Sequence, residues 1–98
     1  MREKGKIFRL RDSNGFPYQD LFVNVNGEVT WIEHDTSFYA GNGKCSYTQS
    51  NQDFKIHVRC FMEDLLRRDI SEFESMKGTL KQEWRKMAEE VLSAASTE

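Results

Sequence analysis

Leu21-Phe22-Val23-Asn24-Val25-Asn26-Gly27-Glu28-Val29-Thr30-Trp31-Ile32 sets two β-prone runs on either side of a turn. Asn-Gly between such runs is the strongest short-range hairpin signal, because a type I′ turn needs φ > 0 at both central residues. A two-residue loop at Asn26-Gly27 predicts that Val25 faces Glu28, Val23 faces Thr30 and Leu21 faces Ile32. Leu21, Val23, Val25 and Ile32 then share one face, while Phe22, Val29 and Trp31 share the other. Both faces of the hairpin are apolar in this register. A two-layer protein with one wet sheet face does not easily accommodate that.

Upstream, Lys6-Ile-Phe-Arg-Leu-Arg11 alternates as a half-buried strand does, with Phe8 and Leu10 on one side and Arg9 and Arg11 on the other. Asp12-Ser-Asn-Gly15 is a turn cluster, and Pro17 keeps the chain after it out of a helix. Downstream, His34–Ser37 reads as a polar loop, Phe38 and Tyr39 as a short strand, Gly41–Gly43 as a turn and residues 44–49 as a strand.

Residues 54–61 fit two templates. Phe54, Ile56, Val58 and Cys60 alternate with Lys55, His57 and Arg59, which predicts a strand. Phe54, Val58, Phe61, Met62, Leu65 and Leu66 also form one helical stripe, with Ser50 and Asp53 as capping residues. The helix leaves Ile56 in water and puts β-branched residues in its interior, so the strand is the preferred reading.

From Met62 onward the periodicity is helical: Met62, Leu65, Leu66, Ile70, Phe73 and Met76, with Gly78 as the stop. Thr79-Leu-Lys-Gln82 has capping-box spacing before a second stripe of Leu80, Trp84, Met87, Ala88, Val91, Leu92 and Ala95. The expected fold class is α+β: an antiparallel sheet of four to five strands over about residues 6–61, packed against two C-terminal amphipathic helices over about 62–95, in a single domain spanning 1–98.

The 98 residues are 38% hydrophobic and 31% charged with one proline, a globular rather than a disordered composition. No apolar run reaches the roughly 20 residues that span a bilayer. Met-Arg-Glu-Lys-Gly-Lys at the start precedes no apolar stretch of signal-peptide length, so a soluble, intracellular (cytoplasmic) protein is expected. The net charge is −2, which argues against a broad nucleic-acid-gripping surface. Arg2, Lys4, Lys6, Arg9 and Arg11 nonetheless stand against Glu3 alone in the first eleven residues.

Catalytic and cofactor motifs fail when tested. Gly41-Asn42-Gly43-Lys44 lacks the first glycine and the Ser or Thr of a phosphate-binding loop. Cys45, Cys60, His34 and His57 contain no pair at structural-zinc spacing, and two free thiols in a reducing compartment are expected. Glu33-His34-Asp35 flanks a base with carboxylates but has no nucleophile beside it. On a strand, His57 and Cys60 point to opposite faces, which disfavours a nucleophilic pair. No cofactor is expected.

The residues left for function are on the outer sheet face. Phe22, Trp31 and Val29, with Arg9 and Arg11 from the first strand and Lys55, His57 and Arg59 from the last, make an aromatic patch with basic neighbours. Aromatic residues are enriched at interface hot spots. The expected function is a small non-catalytic protein-binding module: an inhibitor, adaptor or regulatory subunit of the kind bacteria and their viruses encode. Homodimerisation through the patch or the Trp84 helix belongs to the same class. The alternative is an RNA- or DNA-binding module that stacks bases on the basic-aromatic face.

Overall fold

A computed structural model describes residues 5–34, 44–47 and 52–96. The architecture is α+β. Strands β1 (Lys6–Arg11), β2 (Pro17–Val23), β3 (Val29–His34) and β4 (Lys44–Tyr47) form an antiparallel meander in the order β1-β2-β3-β4. Helices α1 (Gln52–Arg68), α2 (Ile70–Thr79) and α3 (Gln82–Ser96) follow. His34, expected to open a loop, ends β3; the rest of that loop, the short strand at Phe38 and Tyr39 and the Gly41–Gly43 turn lie outside the described residues.

Two hairpin turns share one design. In Asp12-Ser-Asn-Gly15, the Asp12 carboxylate accepts from the N–H groups of Asn14 (2.9 Å) and Phe16 (3.0 Å), and Gly15 N–H donates to Asp12 C=O (2.9 Å). In Asn24-Val-Asn-Gly27, Asn24 Oδ1 accepts from Asn26 (2.8 Å) and Glu28 (3.0 Å), and Gly27 N–H donates to Asn24 C=O (2.9 Å). Gly15 and Gly27 have φ of 89° and 82°. Each is a three-residue loop in which a type I turn ends on a left-handed glycine.

That turn corrects the expected register. Because Asn24 supplies an acceptor for two N–H groups, the chain reverses around Asn24–Glu28 and not around a two-residue Asn26-Gly27 loop. Val23 therefore pairs with Val29, Phe22 with Thr30 and Leu21 with Trp31. A one-residue slip moves side chains to the opposite face. Leu21, Val23, Val29 and Trp31 share the inner face with Phe8 and Leu10, and all six are buried. Val25 lies in the turn, 56% exposed, and Ile32 is half-buried on the outer face.

The second correction concerns residues 54–61, which are helical. Phe54, Val58, Phe61, Met62 and Leu65 form one buried stripe on α1, and Ile56 is left 59% exposed. The strand would have buried Ile56 but would have broken this stripe at Phe61. Continuity over about three turns outweighs one exposed side chain. The expected strand instead lengthens the first expected helix, and a break at Asp69 divides that helix, giving three helices.

One extended residue interrupts the helix between α1 and α2. Asp69 is extended (φ −157°, ψ 92°) and its side chain accepts from Glu72 N–H (3.1 Å), capping α2. At the other end α2 continues through Gly78, and Thr79 donates its hydroxyl to Met76 C=O (2.7 Å). Neither residue plays its expected role: Gly78 is not a stop, and Thr79 does not cap α3.

All three helices contribute to one core with the inner sheet face. Phe73, Met76, Leu80, Trp84, Ala88 and Val91 join the α1 stripe, and the Phe54 and Trp84 rings meet edge-on at 5.5 Å. Both turns are fastened to helices. Lys81 N–H, between α2 and α3, donates to Gly27 C=O (3.1 Å), while Lys81 Nζ reaches Glu28 (3.3 Å). At the opposite end the register shifts between Leu10 and Arg11, leaving Tyr18 as an extra residue on β2. Such a bulge re-aims a side chain. The Tyr18 ring packs against the core, and its hydroxyl donates to Asp64 on α1 (2.8 Å) and accepts from Arg68 (3.0 Å).

Candidate interaction surface

Strand alternation places Ile7, Arg9 and Arg11 of β1 on the outer face with Asp20 and Phe22 of β2 and Thr30 and Ile32 of β3. Ile7 lies across from Phe22, which lies across from Thr30. Ile7 is 54% exposed, and Phe22, Thr30 and Ile32 are half-buried. The next row holds Arg9, Asp20 and Ile32. Arg9 grips Asp20 with two parallel bonds, Nε to Oδ1 at 2.8 Å and Nη2 to Oδ2 at 2.9 Å. Asp20 is 2% exposed, and its bond to the guanidinium holds the Arg9 pKa above its ordinary value. A bidentate charge-assisted pair is geometrically specific, and removing one partner strands the other charge.

The eight expected interface residues are scattered. Phe22, Arg9 and Arg11 share the outer face, as foreseen. Trp31 (1% exposed) and Val29 (6%) are core residues on the inner face, so the aromatic pair of Phe22 and Trp31 does not exist. Lys55, His57 and Arg59 are on α1, not on a strand. His57 lies flat on Trp31, with ring centroids 4.1 Å apart and planes within 3°. Arg59 pairs with Glu63 (3.5 Å) and with Glu90 on α3 (3.8 Å), and Lys55 is exposed. On a helix His57 and Cys60 lie three residues apart on neighbouring turns, so the opposite-faces argument does not apply. His57 is stacked on Trp31 while Cys60 is exposed.

Reasoning from sequence missed the edge of the sheet. β1 is one of the two outer strands of the sheet, β4 being the other. Asn24 N–H bonds Glu28 C=O at 2.9 Å, closing the β2–β3 ladder. In an antiparallel pair, bonded and non-bonded residues alternate. Phe22 and Asp20 therefore bond β3, leaving Val23, Leu21 and Gln19 to bond their partners Lys6, Phe8 and Leu10. The backbone N–H and C=O groups of Ile7, Arg9 and Arg11 point away from the sheet. Two observations at the other turn agree: Asp12 N–H bonds Phe16 C=O (2.8 Å), and Arg68 on α1 donates its guanidinium to Arg11 C=O. Among the described residues Arg68 is what closes this edge, and it closes only the Arg11 end.

A groove of about 510 Å³ lies between α1, the start of α2 and the end of α3, lined by Glu63, Leu66, Arg67, Ile70, Val91 and Leu92 among others. Ile70 is 59% exposed there. Among the described residues no group of three His, Cys, Asp or Glu side chains converges as a metal site, and no helix is long and apolar enough to cross a membrane. No family model, curated protein or solved structure matches the chain.

Proposed function

We propose that this chain is a small, non-catalytic, intracellular protein-binding module that acts as an inhibitor, adaptor or regulatory subunit through the outer side of its sheet. The observation that carries the reading is the Ile7–Phe22 pair. Ile7 is 54% exposed beside a half-buried aromatic ring, on a face that contributes no residue to the helix-packed core. An apolar centre rimmed by polar groups is the usual anatomy of a protein interface.

Electrostatics weigh against the nucleic-acid alternative. Arg9 is held by Asp20, Arg59 by Glu63 and Glu90, and Arg67 and Arg68 by Asp64. A phosphate backbone must compete with these carboxylates, and the expected alignment of Lys55, His57 and Arg59 with Arg9 and Arg11 is gone. The test uses the intact chain as bait in a lysate of its source cells. The reading expects a protein retained after nuclease treatment, lost with Ile7→Asp and kept with Ile70→Asp on the helical side. Capture abolished by nuclease, or indifferent to Ile7→Asp, overturns it.

A further inference from the structure

We infer that the free edge of β1 accepts an extended acidic segment of the partner protein as a fifth strand, antiparallel or parallel to β1, a proposal that rests on the protein-binding reading above. Ile7 and Arg9 each direct an N–H and a C=O outward, and Arg11 adds an N–H, its carbonyl being taken by Arg68. No described group bonds the outward N–H and C=O groups of Ile7 and Arg9. A strand edge of this kind is a template for main-chain pairing, with side-chain contacts supplying specificity.

Three features select the occupant. The first is the alternation of donors and acceptors along the edge. A peptide backbone presents the complementary alternation, whereas a DNA backbone offers acceptors only and leaves the Ile7 and Arg9 carbonyls unpaired. The second is charge. Lys6 and Arg11 are exposed and have no carboxylate partner among the described residues. Arg9 is already neutralised by Asp20, so the uncompensated charge sits at the two ends of the edge. The third is self-repulsion. A second copy brings another Lys6 and Arg11 to the same seam, and like charges facing each other across strands are unfavourable. Lys6 has the inner-face parity of Phe8 and Arg11 the outer-face parity of Ile7, so an incoming strand meets the two cations with acidic side chains near its two ends, on opposite faces, and meets the exposed Ile7 with an apolar one between them.

The experiment follows backbone amides of the ¹⁵N-labelled intact chain by NMR. It is titrated in turn with a synthetic peptide carrying two Glu residues at each end of a Val-Thr centre, its counterpart with Lys in place of Glu, and an oligothymidylate. The acidic peptide should shift the Ile7, Arg9 and Arg11 amides and slow their exchange with solvent. Lys6→Glu combined with Arg11→Glu should weaken acidic-peptide binding by about tenfold or more and reverse the preference toward the basic peptide. Ile7→Pro removes an outward N–H but no bond to β2, so it should abolish binding with the far-UV spectrum unchanged. If Ile7→Pro unfolds the chain, the charge-reversed pair carries the test. Equal response to both peptides, shifts mapping away from β1, or stronger shifts of the same amides by the oligothymidylate overturn the inference. A captured cellular protein indifferent to Ile7→Pro also sinks the edge proposal while sparing the module reading; failure to capture any protein, with the acidic peptide still bound at β1, does the reverse.

Discussion

Replacing Trp31 by alanine tests the register on which every face assignment depends. The indole is 1% exposed on the inner face, stacked on His57 at 4.1 Å. A tryptophan buries about 150–250 Å², which at about 25 cal/mol per Å² corresponds to about 4–6 kcal/mol as an upper bound. Measured truncations of large buried aromatics cost about 3–5 kcal/mol, and that is the expected loss. Phe22, half-buried on the outer face, should cost about 1–2 kcal/mol when cut to alanine. Both losses are read from urea unfolding followed by far-UV circular dichroism, since Trp84 alone remains as a fluorophore in the first variant. For a chain of this length 1 kcal/mol moves Tm by about 4–8 °C, so Trp31→Ala should lower Tm by more than about 12 °C and Phe22→Ala by well under that. Comparable losses from the two variants would mean that the hairpin pairs as a two-residue loop predicts, which puts Phe22 and Trp31 on one face.

The turns offer a matched pair of tests. Gly15→Ala and Gly27→Ala each force a side chain into φ near +85°, a penalty of about 1–2 kcal/mol; only at Gly27 would the new Cβ lie 2.4 Å from the Lys81 backbone nitrogen, whereas the space around Gly15 is open. Thermal melts should therefore show Gly27→Ala to be clearly the worse, and equal losses would deny the docking of this turn on the α2–α3 connection. Asn24→Ala strips an acceptor from two N–H groups and should cost about 1–2 kcal/mol in chemical denaturation, while Asn26→Ala should cost less; the opposite order would restore the type I′ turn. Burial, and then the bond to Asp64, raise the Tyr18 pKa above the ordinary tyrosine value. The folded state thus holds this proton more tightly than the unfolded chain. The associated stability is complete below about pH 10 and is lost as pH rises through the folded value. Tyr18→Phe should remove that part of the alkaline loss, so the stability difference between wild type and variant should shrink above about pH 10; a difference independent of pH refutes the assignment.

How far the fold could be read depended on how many physical templates each stretch satisfied. Lys6–Arg11 satisfied one, and its observed bounds and faces match the expected ones. The stretch 54–61 satisfied two, and the preference for a strand came from the exposure of Ile56 and from the β-branched residues a helix would hold in its interior. A helix stripe extending to Leu65 buries more apolar surface than the strand rescues, but that comparison requires knowing that the sheet has a single face to cover. Asp69-Ile-Ser-Glu72 carries a capping signature inside what reads as one continuous helix, and the apolar spacing of Leu66, Ile70 and Phe73 conceals the break. At the hairpin the decisive atom was Asn24 Oδ1, two residues before the Asn-Gly that drew the eye. The pair of motifs Asp12-Ser-Asn-Gly15 and Asn24-Val-Asn-Gly27 was present in the sequence as a shared pattern, and comparing the two would have favoured the three-residue loop.

The surface was less legible than the fold, for a reason tied to that single register step. Trp31 and Val29 were selected because residue type favoured an interface, yet their position relative to Asn24 decided that they are core. Arg9 and Arg11 were placed on the correct face but read as free positive charge; Asp20, eleven residues away, neutralises the first, and only the β1–β2 pairing brings them together. Which strand lies outermost is a tertiary outcome that no local pattern specifies. Once β1 is known to be an edge, Lys6 and Arg11 take on a different meaning. Cations beside unpaired main-chain groups discourage pairing with another basic strand, including another copy of this one. The same cations lower the free energy of an acidic strand at that seam, so one arrangement both suppresses self-association and selects a partner. Reversing Lys6 and Arg11 should therefore change two properties at once, weakening acidic-peptide binding and altering the tendency to self-associate, whereas cations serving only solubility would move neither preference.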